Sequence, residues 1–309
     1  MQSTNSILMI RPVSFRMNEQ TAVNNYFQED IDLKNSAINI RAQEEFDAFV
    51  GVLKTRGVHV ITVDDTKEPD TPDSIFPNNW ISFHEDGTVG VYPMFAKNRR
   101  NERREDIFDI LEKDGFVIKD IMDYTAAEME GLFLEATGSM ALDRVNRKAY
   151  CALSDRADEE LFIEFCEDFE YSPVIFTANQ SVDGRRMPIY HTNVMMCVAD
   201  TFAVVCLDAI DDKKERKNVV DHLKQDAKDI IAITEQQMHS FAGNMLQVLG
   251  ENNEPILIMS SQAYHSLDLN QIASIEKNCD IIHSSLETIE TCGGGSARCM
   301  MAEVFLPRK

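Results

Sequence analysis

The 309-residue sequence predicts an α/β fold: five similar units in a single domain, closing into a pseudo-symmetric ring. Two observations predict it. Five segments each hold an apolar strand pair around a Gly or polar turn, and most lead into an amphipathic helix. One polar residue taken from each pair (Asn79, Glu135, His191, Asn244 and Cys299) lies 56, 56, 53 and 55 positions from the one before. Self-similarity at a fixed period marks an array of one structural unit. Propeller blades made only of strands would lack the helices. No Ser- or Pro-rich linker interrupts the series, so one domain over 1–309 is expected.

The elements follow in order. IFPNNWISFHEDGTVGVYPM supplies the first pair, with a charged helix over Glu102–Lys113. GLFLEATGSMALDRVNRKAYCAL supplies the second, with a helix over Asp158–Phe169 whose Phe162, Phe165, Cys166 and Phe169 keep three- and four-residue spacing. MPIYHTNVMMCVADTFAVVCL supplies the third, with a helix over Lys214–Ile231. SFAGNMLQVLG and EPILIMSS supply the fourth, with a helix over Asp268–Lys277. The fifth, GGGSARCMMAEVFLP, ends the chain and must borrow its missing strand and helix from ILMIRPVSF and Ala42–Leu53.

Lys plus Arg total 30 and Asp plus Glu 52, a formal net charge of −22. A nucleic-acid binder needs a basic face to displace counterions, and an anionic membrane repels such a chain, so neither partner is expected. No run of 18 apolar residues occurs, and MQSTNSILMIRPVSF lacks the pattern of a signal peptide. Seven Cys without a CxxC pair read as free thiols, which fits a cytoplasmic location. Scattered His without an HxxH or HxH motif offer no metal set, and no cofactor is expected. A small-molecule partner is expected, with a homo-oligomer as an option.

Cys299 follows Gly293, Gly294 and Gly295 in GGGSARC, a tight polar stretch that suits either a thiolate nucleophile or a plain turn before a last strand. His191 in YHTNVMM suits general acid–base work or a half-buried structural role. Glu135, an acid in an apolar strand, needs a partner: a His to orient or a structural cation. Asn78 and Asn79 follow Pro77 and form a turn or aim amides into a pocket. KNRRNERRED is a basic island in an acidic chain, where one Arg is free to grip a carboxylate in two-pronged fashion. Arg156 is a second, isolated candidate. Asp64–Ser74, rich in Asp, Pro and Thr, is the candidate lid.

FPNNW, LEATGSM, YHTNVMM, AGNMLQ, SSQAYHSL and IETCGGGSARCMMAE, in that order and over nearly the whole chain, resemble the pentein or guanidino-group-modifying superfamily. That superfamily includes arginine deiminase, dimethylarginine dimethylaminohydrolase and the amidinotransferases. The chain looks most like the citrulline-utilisation hydrolase branch. The resemblance implies a five-fold pseudo-symmetric α/β propeller of ββαβ-type units. It implies Cys299 as nucleophile, His191 as general acid–base and Glu135 as the acid completing the triad. It puts Asn79 where the family grips a guanidinium, Asn193 beside it, Arg100 and Arg156 on the substrate carboxylate, and Asp73 on the pocket wall.

Two departures matter. Arginine deiminases carry a carboxylate where this chain has Asn79, and His-x-Asp where it has His191-Thr192-Asn193. Amides donate as well as accept, so they suit a neutral ureido group better than a cationic guanidinium. The resemblance therefore implies a hydrolase acting on the ureido or guanidino carbon of an amino acid, with citrulline to ornithine the reading. The succinylarginine-hydrolysing branch also pairs Asn with a guanidino substrate. The alternatives are an arginine deiminase or dimethylarginine-type hydrolase, an amidinotransferase, and a silent amino-acid-binding pentein.

Overall fold

Short apolar runs separated by tight turns become strands here because each buries one or both faces. The computed structural model describes residues 1–309. It contains five three-stranded sheets of one topology, in which the middle strand pairs antiparallel on one side and parallel on the other. The first sheet is Ile81–Phe83, Thr88–Val91 and Asp120–Asp123. The second is Met140–Asp143, Lys148–Leu153 and Ser172–Thr177. The third is Met196–Val198, Phe202–Val205 and Asp229–Ala232. The fourth is Leu246–Leu249, Pro255–Ser260 and Asp280–Ser284. In the fifth, Ala302–Glu303 pairs with Ser6–Arg11 in the register Leu8↔Ala302, and Ser6–Arg11 runs parallel to His59–Asp64. The two ends of the chain thus share one sheet, as the repeat demanded.

Parallel strands need a long crossover connection, usually through a helix. Helices Asp106–Lys113, Glu159–Asp168, Lys213–Gln225, Leu269–Glu276 and Asn35–Thr55 provide it, one per unit. Three of their starts are written in the sequence. Asp158 accepts from the backbone N–H of Glu160 and Leu161, and Asp212 from Lys214 and Glu215. Asp268 and Gln271 form a capping box. The helix of the second unit lays an apolar stripe on its own sheet, with Leu161, Phe162, Phe165 and Cys166 all buried. Burying one such Phe stabilises the fold by about 1.5–3 kcal/mol.

Three helix expectations need correction, the first being Ala42–Leu53, which runs over Asn35–Thr55 and starts seven residues earlier. The helix expected over Lys214–Ile231 stops at Gln225, and Asp229–Ala232 is a strand. Ala227, at φ 55, turns the chain out of the helix. The helix expected from Glu102 begins at Asp106. Lys97–Glu102 is a 3-10 turn, and extended backbone at Arg103 separates the two.

Candidate active site

The five polar residues used as unit markers share one structural position, just before the first strand of their sheet. Asn79 ends the 3-10 turn Pro77–Asn79, Glu135 precedes the turn Ala136–Ser139, and His191 precedes the turn Thr192–Val194. Asn244 and Cys299 sit in the turns before Leu246 and Ala302. A tight turn at a strand entry lets a polar side chain leave the apolar alternation without breaking it. Ala136 adopts φ 38, a left-handed value that costs a non-glycine residue energy. The strain sits directly beside Glu135.

His191 Nε2 and Glu135 Oε2 are 2.8 Å apart, and both side chains are buried. Burial opposes ionisation of Glu135. The guanidinium of Arg156 at 3.6 Å, the bond from His191 and the Arg99 guanidinium at 3.8 Å outweigh it and bring the carboxyl down to about 2. An ionised carboxylate only accepts, so His191 Nε2 carries the proton and Nδ1 keeps its lone pair. Burial lowers His191 to about 4 despite its bond to Glu135, so the imidazole is neutral near pH 7. Burial also raises the Cys299 thiol, so the resting pair is thiol and neutral imidazole.

Asn244 holds the sulfur. Its Nδ2 donates to Cys299 Sγ at 3.2 Å and to the Asn193 carbonyl at 2.9 Å. Its Oδ1 accepts the N–H groups of Arg298 at 3.0 Å and Cys299 at 3.4 Å. Asn244 marked a unit in the sequence but was given no chemical role there. Its signal was the shared spacing.

Asn79 Oδ1 accepts from Arg99 Nη1 at 2.9 Å. A guanidinium has only donors, so the amide can sit only this way round. Nδ2 is left buried without a partner. Asp73 Oδ2 accepts from Asn18 at 2.7 Å and Thr21 at 3.2 Å, leaving Oδ1 unpartnered. Asn79, Asp73, Arg99, Arg156, His191 and Cys299 line one small pocket, together with Thr21, Asn25, Phe76, Tyr190, Gly293 and Gly295. Gly138 is required beside it. A Cβ there would meet His191 Cε1 at 2.8 Å and Nδ1 at 2.9 Å, with Asn79 Nδ2 closer still.

Two expected residues and the expected lid fall elsewhere or act differently. Arg100 does not enter the pocket: its Nε bonds the Met94 carbonyl at 3.1 Å and lies 3.3 Å from Glu128. Consecutive residues of a 3-10 turn point roughly a third of a revolution apart, and it is Arg99 that turns inward. The Arg99 side chain is 2 % exposed and that of Arg100 26 %. Glu102 makes this possible, binding Arg99 Nε and Nη2 at 2.9 Å each. Asn193 backs Cys299 instead of lining the pocket, with Oδ1 3.7 Å from Cys299 Sγ and Nδ2 spent on the Thr137 carbonyl at 3.2 Å. Of the expected lid, Thr71–Ser74 is buried floor, tied by Thr71 Oγ1 to Asp65 at 2.8 Å.

The cover comes from residues 12–34, ahead of the helix Asn35–Thr55. Thr21 and Asn25 line the pocket, and Asn25 Nδ2 reaches the carbonyls of Gly293 and Gly294 at 3.3 Å each. Arg156 is engaged by the same segment, through Asn24 Oδ1 at 3.0 and 2.5 Å and the Thr21 carbonyl at 3.0 Å. Sequence reading missed this segment because it carries neither periodicity nor an unusual composition.

Several solved structures share the fold. Chains of ArgZ, an arginine dihydrolase from the ornithine-ammonia cycle in cyanobacteria, match with TM-score 0.74 at 19% identity, over 98% of this chain and 41% of that one. The present chain thus spans about two fifths of that protein. An N-terminal domain variant of ArgZ, covalently bound to a reaction intermediate, matches with TM-score 0.69 at 19% identity, over 98% and 99% of the two chains. A dimethylarginine dimethylaminohydrolase variant, as its adduct with S-methyl-L-thiocitrulline, matches with TM-score 0.65 at 15% identity, over 98% and 100%. No curated protein matches the chain. The family model described as "N,N dimethylarginine dimethylhydrolase, eukaryotic" matches residues 11–306, and the chain therefore belongs to that family of guanidino-modifying penteins.

Proposed function

We propose that the 309 residues act as one catalytic domain that hydrolyses the central carbon of a ureido or guanidino amino acid through a covalent adduct on Cys299, with citrulline to ornithine as the reaction. The observation that carries the choice of citrulline is the fixed amide of Asn79. Arg99 takes its oxygen, so the pocket is offered an N–H donor. A ureido oxygen accepts such a bond, whereas a guanidinium has no acceptor to give.

The residues supply the steps. Substrate binding shuts water out, and His191 Nδ1 takes the thiol proton. Glu135 stabilises the imidazolium so formed, and Asn244 Nδ2 donates to the thiolate. The sulfur attacks the ureido carbon while Asn79 Nδ2 donates to the developing oxyanion. His191 returns its proton to the departing nitrogen, leaving an S-carbamoyl adduct. His191 then takes a proton from water, which cleaves the adduct. One citrulline and one water give ornithine, carbon dioxide and ammonia. Arg156 is placed to bind the substrate carboxylate, exchanging Thr21 and Asn24 for it.

A second reading is hydrolysis of arginine in two successive rounds. It is supported by the structural neighbours named as arginine dihydrolases and by the unpartnered Oδ1 of Asp73, a pocket acceptor for guanidino N–H groups. Incubation with citrulline, arginine, dimethylarginine and agmatine, with ornithine, citrulline and ammonia assayed, tests both. Turnover of citrulline to ornithine is expected. Turnover of none, by folded protein, overturns the hydrolase reading. Arginine consumed with citrulline left over overturns the choice of substrate.

A further inference from the structure

Arg156 is a buried cation whose partner on one edge comes from the cover. Its side chain is 2 % exposed, and its guanidinium carbon lies 4.9 Å from the centre of the Tyr190 ring and 6.0 Å from that of Phe95. Glu135 Oε2 stands 3.6 Å from Nη1. The edge formed by Nε and Nη2 can grip a carboxylate with two parallel bonds. Asn24 occupies that edge: its Oδ1 accepts from Nε at 3.0 Å and from Nη2 at 2.5 Å, and the Thr21 carbonyl accepts from Nη2 at 3.0 Å.

The amide sits this way round because the Asp155 carboxylate, an acceptor, faces its Nδ2 at 3.5 Å. Its neighbours in the cover are locked more firmly. Thr21 is buried, and its Oγ1 lies 3.1 Å from the Asn18 carbonyl and 3.2 Å from Asp73 Oδ2. Asn25 is buried and tied to the glycine turn. Asn24 itself is half-buried and follows Val23, which is 64 % exposed. Its side chain can therefore swing to solvent while the backbone on both sides stays fixed.

A neutral amide oxygen is a telling partner for this guanidinium. With no acceptor, the buried edge would be stranded at a cost. A bond between two ions is stronger than one from an ion to a neutral acceptor. The amide thus satisfies Arg156 in the free protein and yields to an anion.

We propose that Asn24 is a built-in competitor for the carboxylate subsite: its amide stands in for the substrate carboxylate on Arg156, is displaced when an amino acid binds, and returns to expel the head of the product. This rests on the reading of Arg156 as the carboxylate site. The competition weakens every ligand with a free α-carboxylate, substrate and product alike. A ligand without one does not meet it.

The experiment is calorimetric titration of citrulline, arginine, ornithine and agmatine into Cys299→Ser, which lacks the thiol, and into the same protein carrying Asn24→Ala. Arginine and agmatine share the guanidino end and differ in the carboxylate. Asn24→Ala is expected to tighten citrulline, arginine and ornithine about tenfold, the net worth of one hydrogen bond to a charged group, and to leave agmatine unchanged. Without ligand that variant is expected to melt at a lower temperature, yet to gain more from saturating citrulline than its parent does. A purely structural Asn24 would lose binding along with stability. With Cys299 restored, KM for the amino acid turned over should fall by the same factor. Citrulline and arginine bound no more tightly after Asn24→Ala overturn this proposal and leave the reading of the site standing. Equal tightening of agmatine overturns it too, because the gain would then come from the whole pocket and not from the carboxylate. Binding of none of the four by folded Cys299→Ser overturns the reading of the site and this proposal with it.

Discussion

At the scale of single residues, the chemistry depends on which proton sits where. Glu135 raises His191 while burial lowers it, with a balance at about 4. Activity should therefore fall on acidification as His191 charges, with a limb near pH 4. Glu135→Gln removes the anionic partner, so it should move that limb to lower pH and reduce kcat by roughly 10³–10⁴, the cost of losing the carboxylate of a nucleophile–base–acid set. A pH–rate profile of the variant decides it, and an unmoved limb would show that Glu135 does not govern His191. The same pair bears on stability. Both groups have folded-state values below their unfolded ones, so the unfolded chain binds more protons in acid. Stability should begin to fall below pH 6.5, as unfolded His191 charges, and continue to fall as Glu135 is protonated toward pH 2. Thermal midpoints between pH 7 and pH 3 measure it. Asn244→Ala deletes one donor to sulfur, worth about 1.5 kcal/mol or roughly tenfold. The expected result is a roughly tenfold slower alkylation of Cys299, with the melting temperature lowered as well because the Asn193 carbonyl and the Arg298 and Cys299 N–H groups lose their buried partner. An equal rate would remove Asn244 from the site. Asn79→Asp exchanges the donor for an acceptor, so the ratio of citrulline to arginine turnover should fall at least tenfold. A constant ratio would sink the role given to that amide.

At the scale of elements, the strand pairs and the Asp-capped helix starts were legible because their causes are local. Alternation, β-branched runs and Asp caps act within a few residues. The third strand of each unit was not legible, and the reason is visible in Asp120–Asp123, Asp229–Ala232 and Asp280–Ser284. Each starts with Asp and has only two or three apolar residues, because an edge strand buries little. Pairing with a middle strand, a non-local contact, makes them strands. The convergence of Cys299, His191 and Glu135 was legible because each breaks an apolar pattern at one structural position. The arginine was only half legible. Composition located the basic island, but the choice of Arg99 over Arg100 depends on the pitch of the turn and on Glu102. The turn at Gly138 offers a check at this scale. Gly138→Ala forces the imidazole and the Asn79 amide apart, so kcat should drop by at least a hundredfold with secondary structure intact by circular dichroism. Full activity would show that the two side chains have room to move.

At the scale of the whole molecule, the ring reading makes a claim about where cutting does harm. Ser6–Arg11 is the middle strand of the fifth sheet, with Ala302–Glu303 on one side and His59–Asp64 on the other. Ile7, Leu8 and Met9 are fully buried in it. Removing residues 1–11 strips that sheet of its centre and leaves the strand after Cys299 without its partner, so the Cys299 turn loses the anchorage that the first strand gives it. The hairpin Asn179–Val182 with Arg185–Pro188 lies outside the five sheets and pairs only with itself. Replacing residues 179–188 by a short Gly-Ser linker therefore removes about as much chain but no shared strand. If the units close through the two ends of the chain, the first deletion should abolish cooperative unfolding and Cys299 labelling together, while the second should lower the melting temperature by a few degrees and keep labelling. A protein lacking residues 1–11 that still melts cooperatively and still reacts at Cys299 would mean that four units hold the site, and that the fifth sheet is an attachment to the ring and not its closure.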